Sequence, residues 1–184
     1  MATLVTHFVV GSSTALPFCR SRMITEAVRP WAFVVSAGLL AVLPDLDTAY
    51  MSWVPYEDFL GHRGFWHSPF VLAFLSIVLA AFIGGLVRQV SGRVVLLLGA
   101  TWAAASVSHS LLDALTDGGL GVMMFFPFSQ ERFFFAWQPI HVARIGLAGA
   151  LDSFARVFPS ELPFCVAAAA IGGAGYVAYR RKNG

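Results

Sequence analysis

Residues 66–87 read WHSPFVLAFLSIVLAAFIGGLV, with no charged side chain between Pro69 and Val87. A hydrocarbon core about 30 Å thick needs about 20 apolar residues at about 1.5 Å each, so this stretch alone predicts a membrane-spanning helix. Ser68 and Pro69 open it, a capping residue followed by a proline in the first turn. The rest of the chain agrees. Of 184 residues, 58% are hydrophobic and only 12% charged, about half the charged share of a soluble domain. Mean hydropathy is +0.73. A soluble chain of this length has no interior large enough for so much apolar surface. Disorder and a collagen-like chain are excluded as well. The expected fold is all-α: a polytopic bundle of about five spans forming a single membrane-embedded domain, residues 1–184.

The five stretches are 2–19, 31–43, 66–87, 94–115 and 162–179. The second is short and stops at Pro44, which leaves open whether it crosses or re-enters. Orientation follows from Arg and Lys alone. With Arg180, Arg181 and Lys182 in the cytoplasm, Arg88, Arg93, Arg20, Arg22 and Arg29 also fall inside. Arg63, Arg132, Arg144 and Arg156 fall outside, and so does the N-terminus. Scattered basic residues and a net charge of +2 give no nucleic-acid patch. No basic n-region precedes the first stretch, which is read as retained. Cys19 and Cys165 form no CxxC and no disulfide framework.

Residues 123–137, MMFFPFSQERFFFAW, are an aromatic run broken by Pro127. Residues 140–158 have the pattern of an interfacial amphipathic helix. His141, Arg144, Asp152 and Arg156 lie on its polar face, with Ile140, Leu147, Leu151, Phe154 and Phe158 opposite.

The residues that carry chemistry are the ionisable ones in or beside the spans. His7 lies in the first. Asp45 and Asp47 close the second, in LPDLD (43–47). His62, Arg63 and His67 stand in HRGFWHS (62–68). His109 and Asp113 sit near the end of the fourth, in HSLLDALTDGG (109–119). The pair at i, i+4 shares a helix face and can grip one ion. Gly64 permits a turn that returns two imidazoles to each other. The topology, set without these residues, puts all seven on the outer side, together with nine of the ten acidic residues. Arg29 to Asp45 is about 24 Å of helix, so the carboxylates lie below the outer headgroups.

Like carboxylates in low dielectric repel, and a bound cation removes that cost. His7, Asp45, Asp47, His62, His67, His109 and Asp113 are therefore the expected metal ligands. Mixed imidazole and carboxylate suits zinc, manganese or iron and not a calcium cage. Seven ligands suffice for two ions about 3.5–4 Å apart. Arg63 is expected to clamp a phosphate oxygen bidentately or to pair with an Asp. Asp45 is the carboxylate whose loss should stop turnover. Thr116 and Asp117 flank the site, His141 is solvated or faces substrate, and Glu57 and Asp58 belong to a polar loop.

In their order along the chain, His7, LPDLD, HRGFWHS and HSLLDALTDGG resemble the YdjM-like family of bacterial inner-membrane proteins, described as membrane-bound metal-dependent hydrolases. The resemblance covers about residues 3–150. It implies a helical membrane fold with a His/Asp metal centre, distantly similar to zinc-dependent phospholipase C folds. Trp66 stands where the family pattern has Thr. The expected function is hydrolysis of a phosphoester in a membrane lipid or lipid-linked substrate at the periplasmic side of the inner membrane. The rival classes are a metal or proton transporter and an interaction module with a structural metal. A transporter needs access from both sides, whereas the cytoplasmic halves of the spans lack ionisable residues.

Overall fold

The computed structural model describes residues 1–87, 90–144 and 147–183. Arg88, assigned above to a cytoplasmic loop, lies outside them. Helix α1 (Leu4–Ala15) starts where the Thr3 hydroxyl accepts from the Thr6 N–H, and tightens into a 3-10 turn, Leu16–Phe18. A single capped turn, α2 (Arg22–Thr25), precedes α3 (Pro30–Val42). Pro30 is at the first turn of α3, where its missing N–H costs nothing. Helix α4 is Pro69–Leu86, α5 is Gly92–Ala114 and α6 is Leu147–Asn183. Among the described residues there are no strands, only two isolated bridges, Thr116 with Ile140 and Val122 with Phe133.

Among the described residues, four helical stretches are long and apolar enough to cross a membrane: Pro30–Tyr50, Pro69–Leu86, Gly92–Ala114 and Phe154–Lys182. Of the first two stretches, the sequence marks the second as the short one, whereas in the structure it is the longer. The first, 2–19, gives only the short helix Leu4–Phe18, about 22 Å long. The second does not stop at Pro44. It runs on as a 3-10 helix, Leu43–Tyr50, with the proline in its first turn. The proline removes the N–H that would bond back into α3, and the helix passes from α to 3-10 at that point.

The second correction concerns 140–158. Residues 140–144 are not helical. The Ile140 N–H donates to the Leu115 carbonyl, and the Ile140 carbonyl accepts from the Asp117 N–H. Ile140 is thereby buried beside the end of α5. The helix starts at Leu147 and carries on into the fifth stretch, with Pro159 and Pro163 inside it. The side chains of Leu147, Leu151 and Asp152 lie outside the described residues. Ser68 stands at the N-cap of α4 but donates to the Phe126 carbonyl, so it ties a loop down in place of capping.

Lipid is as apolar as leucine, so these helices associate through close packing and hydrogen bonds. The interior is accordingly small-residue rich: Ala15, Ala37, Ala41, Ala80 and Ala105 pack with Phe33 and Trp102. At Gly11 a side-chain carbon would collide with that of Ala41, and at Gly38 with Ser12 Oγ. Helices α1 and α3 can cross this closely only with glycine at both positions. Polar ties add to this, with Trp102 Nε1 donating to Ser36 Oγ at 3.0 Å and Ser76 sharing a 3.0 Å bond with Ser106. The up-and-down order brings the start of α1, the end of α3 with its 3-10 extension, the start of α4 and the end of α5 to one end of the bundle. Arg20, Arg22, Arg29, Arg93 and Arg180–Lys182 are at the other.

Candidate metal centre

His7 comes from the second turn of α1, Asp45 and Asp47 from the 3-10 extension of α3, His62 and His67 from the loop before α4, and His109 and Asp113 from the last turns of α5. All four imidazoles and Asp113 are fully buried, and the other two carboxylates are 3% exposed. The His7 and His109 rings stack with centroids 3.9 Å apart, and the His67 ring lies tilted against His109 at 4.8 Å.

Asp45 is the centre of the cluster. Its Oδ1 is 3.6 Å from His67 Nε2 and 3.7 Å from His109 Nε2, and its Oδ2 is 3.8 Å from His7 Nε2. Asp113 faces the same three nitrogens at 3.6–3.9 Å. These gaps are too long for hydrogen bonds. They are close to the edge of a coordination tetrahedron, about 3.4 Å for bonds of about 2.1 Å.

The unpartnered atoms make the same point. Among the described residues, ten buried side-chain N and O atoms lack a hydrogen bond, and nine belong to His7, Asp45, Asp47, His62, His67 and His109. Buried polar atoms are otherwise almost always paired. A cation among them supplies the missing partner. Two ligand groups share one carboxylate: Asp45, His62, His67 and Asp113 form one, and His7, Asp45 and His109 the other. This buried Asp/His cluster can hold a metal ion.

The surrounding contacts aim the ligands. His109 Nδ1 donates to the Ala41 carbonyl at 2.8 Å, which leaves Nε2 with its lone pair facing inward. His62 Nδ1 donates to Asp47 Oδ1 at 2.8 Å with the same consequence. Asp47 also lies 3.3 Å from His67 Nδ1. The structure thus sets Asp47 apart from the ligands expected with it. It belongs to neither ligand group and backs two imidazoles from behind, an arrangement that fixes tautomer and raises ligand basicity.

Arg63 is fully buried and its donors are engaged within the protein. Its Nε donates to Asp113 Oδ2 at 3.1 Å, one terminal nitrogen to the Gly118 carbonyl and the other to Thr116 Oγ1, each at 2.8 Å. Of the two roles anticipated for it, the geometry displays the pairing with Asp and not a free phosphate clamp. Its backbone is left-handed, φ 62°, an uncommon state for a side chain of this size. The Ala2 N–H takes the other Asp113 oxygen at 2.9 Å.

Asp117 stands away from the cluster. It accepts from His141 Nδ1 at 2.7 Å and from the Val142 N–H at 2.8 Å. Burial opposes its ionisation, but those donors outweigh it and hold the carboxyl below its ordinary value. His141 is exposed and belongs to this surface pair. Glu57 and Asp58 are exposed loop residues, and the Asp58 carbonyl accepts from Arg132. Arg132 also donates to the carbonyls of His62 and Tyr56, and so pins the histidine loop.

One buried carboxylate escaped the sequence reading. Glu161, fully buried between Pro159 and Pro163, accepts from the Thr3 N–H at 2.5 Å, Thr3 Oγ1 at 2.5 Å and Thr6 Oγ1 at 2.7 Å. It anchors the start of α1 one turn below His7. The signal was available: an acidic residue immediately before an apolar run, opposite two threonines that flank a ligand helix.

The model of the YdjM inner membrane protein family matches residues 1–183. The chain is 39% identical over 158 residues to the inner membrane protein YbcI of Escherichia coli strain K12, covering 80% of each chain. No solved structure matches it.

Proposed function

Because the chain belongs to the YdjM inner membrane protein family and so to the inner membrane, we propose that it is a membrane-bound metal-dependent hydrolase. Its substrate is a phosphoester in a membrane lipid or lipid-linked molecule, approached from the periplasmic side. The observation that carries this reading is the convergence of unpartnered imidazole nitrogens on both oxygens of one buried carboxylate. A carboxylate shared between two ligand groups suits two divalent ions, zinc first on its mixture of donors. Bound there, such ions supply Lewis acidity and bring the ionisation of a water molecule down toward neutral pH.

The protein's own residues do the rest. His62, His67, His109 and His7 offer ring nitrogens, Asp45 and Asp113 carboxylate oxygens, and Asp47 and the Ala41 carbonyl fix the rings. Three carboxylates and one guanidinium give the cluster a negative formal charge. Two divalent ions would make it positive, which favours an anionic phosphoester over a neutral ester. No serine or cysteine nucleophile is required.

Proteoliposomes of phosphatidylethanolamine and phosphatidylglycerol, with zinc or manganese, should release phosphorylated headgroup or phosphate in a chelator-sensitive way. A metal-loaded protein that turns over neither phospholipids nor lipid-linked pyrophosphates would overturn the hydrolase reading. It would favour a structural metal, which the near-complete burial of every ligand also suits.

The side of the membrane is tested separately. In a Cys19→Ser, Cys165→Ser background, an impermeant thiol reagent should label Glu57→Cys in intact cells and spare Gly92→Cys. The reverse pattern would put the site in the cytoplasm.

A further inference from the structure

An apolar groove on the membrane-facing side runs toward the end of the bundle that carries the His/Asp cluster. Leu40 and Leu43 of α3 form one wall, and Leu72, Leu75 and Leu79 of α4 form the other. It encloses about 120 Å³, below the roughly 300–1,000 Å³ of small-ligand pockets, so it is a shallow cleft along the span with room for a stretch of one hydrocarbon chain. Along α4 it extends about 10 Å, at about 1.5 Å per residue. Ser76 and Ser106 line its floor, but their hydroxyls bond to each other, and Ser106 reaches the Leu40 carbonyl. Both hydroxyls are thus engaged with the protein, and the side chains of Leu40, Leu43, Pro44, Leu72, Leu75 and Leu79 make the lining apolar. Both walls belong to membrane spans, and Leu43, Leu75 and Leu79 stay exposed at the rim. Hydrocarbon is the medium at its mouth.

The end of the groove matters most. It is closed by Pro44 and Trp66, and each is the chain neighbour of a ligand, Asp45 and His67. We propose that this groove holds one acyl chain of a phospholipid, with the headgroup at the Asp45–His67 end. This rests on the reading of the centre as a lipid hydrolase and adds the determinant of which lipids enter. Trp66, the departure from the family pattern, then shapes the upper end of the groove.

The test uses the full chain in vesicles of phosphatidylethanolamine and phosphatidylglycerol that contain a phospholipid with a diazirine in one acyl chain. After irradiation, mass spectrometry should find label severalfold enriched on Leu40, Leu43, Leu75 and Leu79. The reference is Leu96 and Ile171, which are also exposed on membrane spans. Ser76→Phe fills the floor and should abolish the enrichment. Leu79→Trp, at the exposed rim and gentler on folding, should reduce it. Label spread evenly over groove and reference positions would overturn the proposal, as would enrichment unchanged in both variants. Headgroup release by the same vesicles separates the two readings. Enrichment without release keeps the groove and sinks the hydrolase, whereas release with uniform label sinks the groove alone.

Discussion

Asp45→Ala should yield a folded, inserted protein that has lost essentially all its bound divalent metal, while His62→Ala loses only part. Asp45 is the one residue common to both ligand groups, and both its oxygens face imidazole nitrogens with no other partner. Removing it dismantles both groups at once. His62→Ala leaves the group of His7, Asp45 and His109 intact. Asp47→Ala removes only the backing of His62 and His67, so it should weaken affinity by about 10–100-fold without changing the number of ions at saturation. Elemental analysis of detergent-purified protein at matched free metal reads all three. Equal metal content in the Asp45→Ala and His62→Ala proteins would contradict a shared carboxylate and leave a single mononuclear site. Headgroup release should fall below detection in Asp45→Ala.

The residues of the buried His/Asp cluster were legible because the membrane makes ionisable side chains costly, so each one inside a span demands a reason. His7, His109 and Asp113 could be placed from the sequence for that reason, and the i, i+4 spacing gave a shared face. What the sequence did not resolve was the difference between Asp45 and Asp47. Read as the end of a helix, LPDLD lets two carboxylates converge. Folded as a 3-10 helix, about 120° per residue separates the directions of the two, and only Asp45 reaches the centre. Pro44 was read as the end of the second stretch, and residues 159–161 were left between the amphipathic segment and the fifth stretch, yet both places lie in helices that continue. In a membrane a broken helix leaves backbone groups in hydrocarbon, and helix continuation is the cheaper outcome. Leaving 159–161 unassigned also hid Glu161, whose three donors come from the far end of the chain. The segment 140–144 followed helical periodicity but pairs with 115–117 instead, a long-range contact that no local pattern reports.

Arg63→Met should destabilise the protein by about 3–5 kcal/mol, the usual cost of removing one partner of a buried ion pair, and should lower its metal content too. Among the described residues Arg63 is the one guanidinium or ammonium within ion-pair distance of Asp113 Oδ2, and Asp113 sits fully buried among three imidazoles. Arg63→Lys tests the fork. A single ammonium carries the charge but cannot serve Asp113, Thr116 and the Gly118 carbonyl together, so stability should recover only partly. The two roles open to Arg63 diverge here. A phosphate clamp predicts normal stability and metal content in Arg63→Lys, with the loss confined to KM. A positioning residue for Asp113 predicts that stability, metal content and kcat fall together, and that raising the free metal concentration restores much of the activity. Denaturant titration in mild detergent and metal-dependence curves on the same preparations separate them. The geometry favours the second outcome, because the guanidinium points at a ligand already in place and is sealed from solvent on every side.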